Sequence, residues 1–243
     1  MTMRPTLLSV FTGLAMAAFA AGAGSAKADV IFGSLTPSSG TCGPGTPGGV
    51  CGTSLTFTSG SDNIVANGFA GAPGASAATN LTLKPVAGNG LSESGLGTNA
   101  GAGPACSDFD CEIVPPQSVL ATVGAGGNLI DDAIISSVQS GESFNFFVDA
   151  GSGLSQLGGT VNSSCVGAPG FSSAGTDLCR WDAPAGQTRV AVAVQAVSGD
   201  VSLAEVSTVQ AGPPSGVPEP ASLALLGSGL VGLGFAWRRR QRR

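Results

Sequence analysis

Glycine and proline interrupt this chain so often that long helices have no room to form. There are 39 glycines and 15 prolines in 243 residues, and between Asp29 and Val217 they fall in nearly every gap between short apolar runs. The runs at 30–35, 55–58, 64–69, 80–86, 118–123, 133–138, 143–148, 189–197 and 201–209 have the length and composition of strands. Short β-type runs bounded by turn residues argue for antiparallel pairing. The expected fold class is therefore all-β: an antiparallel, jelly-roll-like sandwich with Gly-rich loops. The clearest hairpin runs from Val190-Ala191-Val192-Ala193-Val194, through a turn at Ser198-Gly199-Asp200, into Val201-Ser202-Leu203-Ala204-Glu205-Val206. Its second arm alternates apolar Val201 and Leu203 with polar Ser202 and Glu205, as in a strand buried on one face. Residues 132–138 also admit a helical turn, because short apolar runs cannot be arbitrated by period alone. Residues 87–105 and 166–175 read as long loops, and no internal repeat has a usable period.

The two ends have a different character. At the C-terminus, Val217-Pro218-Glu219-Pro220 precedes a 17-residue apolar run (221–237) that ends in Trp237, and five of the last six residues are Arg. A helix of that length spans roughly 25 Å, slightly short of a typical hydrocarbon core. Trp237 suits the interface, and Arg238, Arg239, Arg240, Arg242 and Arg243 form a basic stop that retains this end in the cytoplasm. Pro218 and Pro220 keep the acidic strip extended, the form in which a processing enzyme reads it. Ser228 and Gly232 make one small-xxx-small pair, for which a marginal, processable anchor is a simpler reading than a helix-packing face. At the N-terminus, Arg4 supplies a positive n-region, residues 7–23 an apolar h-region, and Ala26-Lys27-Ala28 an A-x-A cleavage site. Cleavage after Ala28 would start the mature chain at Asp29; a retained anchor is the competing reading.

Val217-Pro218-Glu219-Pro220, the following Ala-Ser-Leu-Ala-Leu-Leu-Gly and the terminal Arg cluster resemble the PEP-CTERM sorting domain of Gram-negative bacteria. The resemblance covers about the last tenth of the chain. It implies recognition by an exosortase at the Pro218-Glu219-Pro220 motif, with 221–237 as a transient inner-membrane anchor. It further implies passage to the cell surface or to a polysaccharide-rich biofilm matrix. The segment Asn89-Gly90-Leu91-Ser92-Glu93-Ser94-Gly95-Leu96-Gly97 is similar to a region common in the bodies of such proteins, where it goes with an all-β sandwich. The domains expected are a signal peptide at 1–28, an exported β-domain at 29–214, and a sorting tail at 215–243 with motif 217–220, transmembrane run 221–237 and basic stop 238–243. The partners implied are signal peptidase and the export machinery, the exosortase, the inner membrane in transit, and extracellular polysaccharide.

With the ends set aside, the body changes character. Only Lys84, Arg180 and Arg189 face fourteen acidic residues between Asp29 and Val217, a formal charge of −11. No basic footprint for nucleic acid exists there. An acidic surface suits solubility outside the cell or divalent-cation binding. About 190 residues suffice for one domain with its own core. Six cysteines in an exported chain point to disulfides. They allow 15 pairings in principle; local spacing favours Cys42–Cys51, Cys106–Cys111 and Cys165–Cys179, each bracketing a short polar loop. No C-x-x-C and no histidine are present, which argues against zinc.

Candidate chemistry in the body is sparse. Asp108, Asp110 and Glu112 alternate along the stretch from Cys106 to Glu112, pinned by the Cys106–Cys111 pairing, and three hard oxygen ligands gathered this way are candidate calcium donors. A solvated acidic loop is the simpler alternative. Asp131-Asp132 is a second, weaker candidate for calcium, for which a turn at a strand entry is the simpler reading. Trp181 could stack on a sugar ring, but burial against a disulfide is the simpler reading. Thr56-Phe57-Thr58 is a single T-x-T without the ranks an ice-binding face needs, and the sequons at Asn80 and Asn162 carry little weight. Without histidine there is no Ser-His or Cys-His nucleophile, and without tyrosine no phenolic acid. A carboxylate pair acting on glycosides is the remaining catalytic option. The expectation is a protein that is not an enzyme: an exported surface or matrix protein, or alternatively a carbohydrate-binding module of that matrix, assisted by calcium.

Overall fold

The computed structural model describes residues 27–40, 49–60, 62–86, 90–99, 112–124, 128–184, 187 and 189–210. Fourteen strands account for most of them: β1 (Lys27–Ile31), β2 (Ser54–Ser59), β3 (Asp62–Phe69), β4 (Ala78–Lys84), β5 (Gly95–Asn99), β6 (Ser118–Val123), β7 (Asn128–Ser136), β8 (Ser143–Asp149), β9 (Leu154–Gln156), β10 (Val161–Asn162), β11 (Phe171–Gly175), β12 (Leu178–Asp182), β13 (Ala191–Ser198) and β14 (Ser202–Gln210). The one helical element among the described residues is a 3₁₀ turn at Leu91–Glu93.

Pairing is antiparallel throughout and forms two layers joined where β3 meets β4. The front layer runs β4-β5-β14-β7-β12-β11, with β1 also on β14; the back layer runs β10-β8-β13-β6-β3, with β2 on β3 and β9 on β8. The strands β5-β14-β7-β12 and β6-β13-β8-β10 interleave as the two four-stranded sheets of a jelly roll, the chain crossing between layers at nearly every step. The expected sandwich is therefore the observed one.

Alternation writes the core. In β3, Ile64 and Ala66 point inward between more exposed Asn63, Val65 and Asn67; in β8, Phe144, Phe146 and Val148 do the same. Phe146 meets Phe171 and Trp181 across the layers at ring distances of 5.1 and 5.0 Å, and Phe32 lies edge-on to Phe57 at 4.9 Å. Aromatic contacts of this kind add to the area each ring buries.

Two expectations need correction. Residues 190–206 are not a hairpin: β13 pairs with β6 and β8 while β14 pairs with β5, β7 and β1, so Gly199-Asp200 crosses between layers. Both arms being apolar satisfies either arrangement, which is why alternation misled. The strand expected at 133–138 is present through Ser136, which settles it against the helical turn, with Ala133 and Ile135 inside and Asp132 and Ile134 on the other face. The long loops contain β5 and β11. Strand β5 was hidden by its glycines: Gly95 has φ +139° and packs so tightly that a Cβ would lie 2.6 Å from the Leu203 carbonyl oxygen. Close backbone approach, not side-chain burial, selects the residue there. Strand β11 is a sheet edge with mostly exposed polar side chains, so it carries no apolar signal.

Cys165 and Cys179 are joined, with Cα atoms 5.3 Å apart and 14 positions separating them in sequence, tying the turn after β10 to β12. Replacing both with Ala is expected to lower stability by about 3 kcal/mol, the loop-closure value for a ring of that size, read as a lower urea midpoint at unchanged slope.

Candidate functional site

The outer face of the front layer gathers the charge of the body. Register places Asp29 of β1, Ser207 of β14, Asp132 of β7 and Asp182 of β12 side by side across four strands. Residues opposite one another share a face, so one row carries three carboxylates. Asp132 is the pivot: its side chain is 2% exposed, and its Oδ2 accepts from Arg180 Nη2 at 2.6 Å and from Lys27 Nζ. Arg180 Nε also donates to Asp182 at 2.9 Å, and Lys27 Nζ lies 3.5 Å from Asp131. Glu205, one rung along β14, is buried, and the Ser207 hydroxyl lies 3.1 Å from its Oε1 and 2.7 Å from Asp29 Oδ1. One hydroxyl proton is shared between two carboxylates.

These environments shift the titrations. Burial pushes the Glu205 carboxyl above its ordinary value; the negative charges of Asp29 and Asp132 add to this, against the Ser207 hydrogen bond and the Arg180 charge. Burial pulls Lys27 down, but the hydrogen bond and charge of Asp132, with the charge of Asp131, outweigh it and leave the ammonium raised. A second lock lies at the other end of the layer. Lys84, with a side chain 12% exposed, donates to Glu112 at 2.8 Å and Glu93 at 3.0 Å, and its pKa is raised despite burial.

The sequence-derived candidates fall as follows. Val217, Pro218, Glu219, Pro220 and the five terminal arginines lie outside the described residues, as do Asp108, Asp110, Cys42, Cys106 and Cys111. Cys51 is disulfide-bonded. Glu112 is buried against Lys84, a structural ion pair rather than a carboxylate held open to solvent. Among the described residues no group of three or more Asp, Glu or Cys has an arrangement that could hold a metal. Trp181 is fully buried against Phe146, so its ring offers no surface to a sugar. Thr56 and Thr58 stand on one strand without further ranks.

Three residues of the charged face were placed elsewhere by the sequence. Asp131-Asp132 is not a strand-entry turn but lies inside β7. Lys27 was assigned to the leader, yet it opens β1. The signal was present: Lys27 and Asp29 alternate with Ala28 and Val30, continuing the strand period two residues upstream.

The termini of the domain leave it together. Lys27 stands opposite Val209, so the leader side of β1 and the tail side of β14 emerge from one end on adjacent strands. Seven residues beyond Val209 a family begins: residues 216–240 match the PEP-CTERM protein-sorting motif. The chain is thus a PEP-CTERM-bearing protein, and the motif directs exosortase-dependent sorting to the cell surface. No curated protein and no solved structure matches the chain. Among the described residues no helix is long and apolar enough to cross a membrane; the 221–237 run lies outside them.

Since the folded pKa of Glu205 is raised, its ionisation costs stability as pH rises from the ordinary carboxylate value through the raised one. Glu205→Gln is therefore expected to melt above the wild-type protein at pH 7, the gap closing as pH falls below 4.5, where both side chains are neutral. Thermal melts across pH 4–8 check it.

Proposed function

We propose that this is a non-catalytic surface or extracellular-matrix protein of a Gram-negative bacterium, a jelly-roll domain delivered by its C-terminal tail. The observation that carries the reading is the sorting motif at 216–240, reached within a few residues of the last strand. A signal peptide takes the chain across the inner membrane, the apolar run holds it in transit, and exosortase acts at Pro218-Glu219-Pro220. The disulfide-bonded cysteines suit the oxidising compartment this route leads to. Lys27, Lys84 and Arg180 are taken up in ion pairs that knit strands together, which favours a scaffold over acid–base chemistry.

A second reading, polysaccharide binding within the matrix, draws on the outer face of the back layer. There half-buried Phe147 and Leu120 flank Ala193 in one cross-strand row, with Asn67 and Gln156 at its ends. Asn145 and Gln195 occupy the next row. Apolar surface beside uncharged amides matches the chemistry of a neutral sugar, which presents C–H faces and hydroxyls together.

Replacing Pro218, Glu219 and Pro220 with Ala is expected to hold the protein in the membrane fraction and empty the surface wash. Release at the wild-type level would overturn the sorting reading. For the second reading, Phe147→Ala is expected to cut retention on the host's own extracellular polysaccharide about tenfold with the fold intact by circular dichroism, a loss of about 1.4 kcal/mol. Equal retention removes it.

A further inference from the structure

We propose that Lys84 and Glu112 condense into a side-chain amide inside the folded domain, with Glu93 as the proton carrier. This is a once-only self-modification of a scaffold, independent of the sorting route and of polysaccharide binding.

The trio supplies the first argument. Joining an amine to a carboxyl takes a nucleophile, an acid that surrenders an oxygen as water, and a third group that moves protons. Lys84 Nζ lies 2.8 Å from Glu112 Oε1 and 3.0 Å from Glu93 Oε2. The side chains of Lys84 and Glu112 are 12% and 5% exposed, and that of Glu93 is 29% exposed. The two reacting groups are therefore enclosed together, and the proton carrier is the member most open to solvent. The other lysine of the chain lacks this arrangement. Lys27 is 37% exposed, and Arg180 already occupies the same Asp132 oxygen.

Positioning supplies the second. Lys84 ends β4 in register with Gly95, so no cross-strand side chain competes for its space. Glu93 closes the 3₁₀ turn, which is pinned by the Ser137 N–H on the Ser92 carbonyl at 2.9 Å and the Ser136 hydroxyl on the Ser94 carbonyl. Gln139 Nε2 donates to its other oxygen at 3.4 Å. Glu112 accepts the Thr98 N–H on its carbonyl at 3.2 Å, and the next residue, Ile113, exchanges two backbone bonds with Val201. Groups held in contact on fixed supports react as though at about 10⁵–10⁸ M, which offsets the reluctance of an amine and an acid to condense in water.

Charge supplies the third. Attraction returns only part of the desolvation cost of an ion pair so enclosed. The amide carries no charge, so condensation relieves the burial of both partners. Burial pulls the Lys84 ammonium down, but the hydrogen bonds and charges of Glu112 and Glu93 outweigh it. The ion pair is therefore the resting form, and the bond forms slowly through its neutral counterpart.

The step balances within the trio. Lys84 passes one proton to Glu112, giving an amine beside a carboxylic acid. The nitrogen lone pair attacks the Glu112 carboxyl carbon, and the Nζ–Cδ bond forms. Glu93 takes a second proton from the nitrogen and returns it to the hydroxyl, whose C–O bond breaks to release water. Both protons lost by nitrogen leave on that oxygen, nothing is oxidised or reduced, and the net charge of the trio is unchanged.

The test is mass spectrometry of the wild-type protein taken from its host, reduced, alkylated and digested. The expected product is a fragment joining the Lys84 and Glu112 segments, lighter by one water than their sum. Recovery of both segments in unmodified form overturns the proposal. Lys84→Arg keeps the charge but has no amine to condense. Wild type is expected to run ahead of it on a reducing, denaturing gel, and equal mobility also overturns the bond. In pulse-labelled chains, Glu93→Gln is expected to slow the appearance of the joined fragment about a hundredfold, while the Cys165–Cys179 disulfide forms as in wild type. An unchanged rate overturns the role of Glu93.

Discussion

Strand β14 is buried from Ser202 to Thr208, on both faces, and a strand so enclosed persists only if its backbone and its polar side chains all find partners. One edge is met by β7 along nearly its whole length. The other is divided between β5, which touches it at Leu203, and β1, which covers Glu205 to Val209. The bulges after Leu203 and Ser207 let it follow both neighbours. Its buried polar side chains then dictate what surrounds them. The Ser207 hydroxyl faces Asp29 and Glu205 as donor, and Thr208 donates to Asp62. The ion network on the front face is the price of running a polar strand through the middle of a sheet, and it binds β1, β7, β12 and β14 into one unit.

Much of this architecture was legible in advance, for a reason particular residues make plain. Ile64 and Ala66, or Phe144 and Phe146, alternate against polar neighbours, and a buried strand face needs little more. Two strands left no such trace. In β5 the glycines on either side of buried Leu96 read as turn residues, Gly95 being selected by close backbone approach, and Phe171-Ser172-Ser173 forms a sheet edge, so both passed for loop. The supposed hairpin around Gly199 failed differently. Apolar arms joined by a tight turn satisfy a pair within one sheet and a crossing between two sheets alike; only the third dimension separates them.

The functional features divide along the same line. The sorting tail is a linear code read by a membrane enzyme, so its chemistry is complete in the order of its residues and it was found there. The charged face is not linear. Asp29, Asp132, Arg180 and Glu205 are up to 176 positions apart and meet only through register. Trp181 shows the converse: conspicuous in the sequence as a lone aromatic beside an arginine, it is spent on the core against Phe146.

The exit of β1 and β14 from a single end has a mechanical consequence. On the proposed route, a precursor held at both ends is gripped at the open mouth of two antiparallel strands, so tension between those ends parts them one rung at a time, like a zip. With the first end released, the load passes to the tail alone. Drawing β14 lengthwise then strains its bonds to β7 and β1 all at once, in shear. The same fold would be soft while both ends are held and stiff while it hangs from the tail.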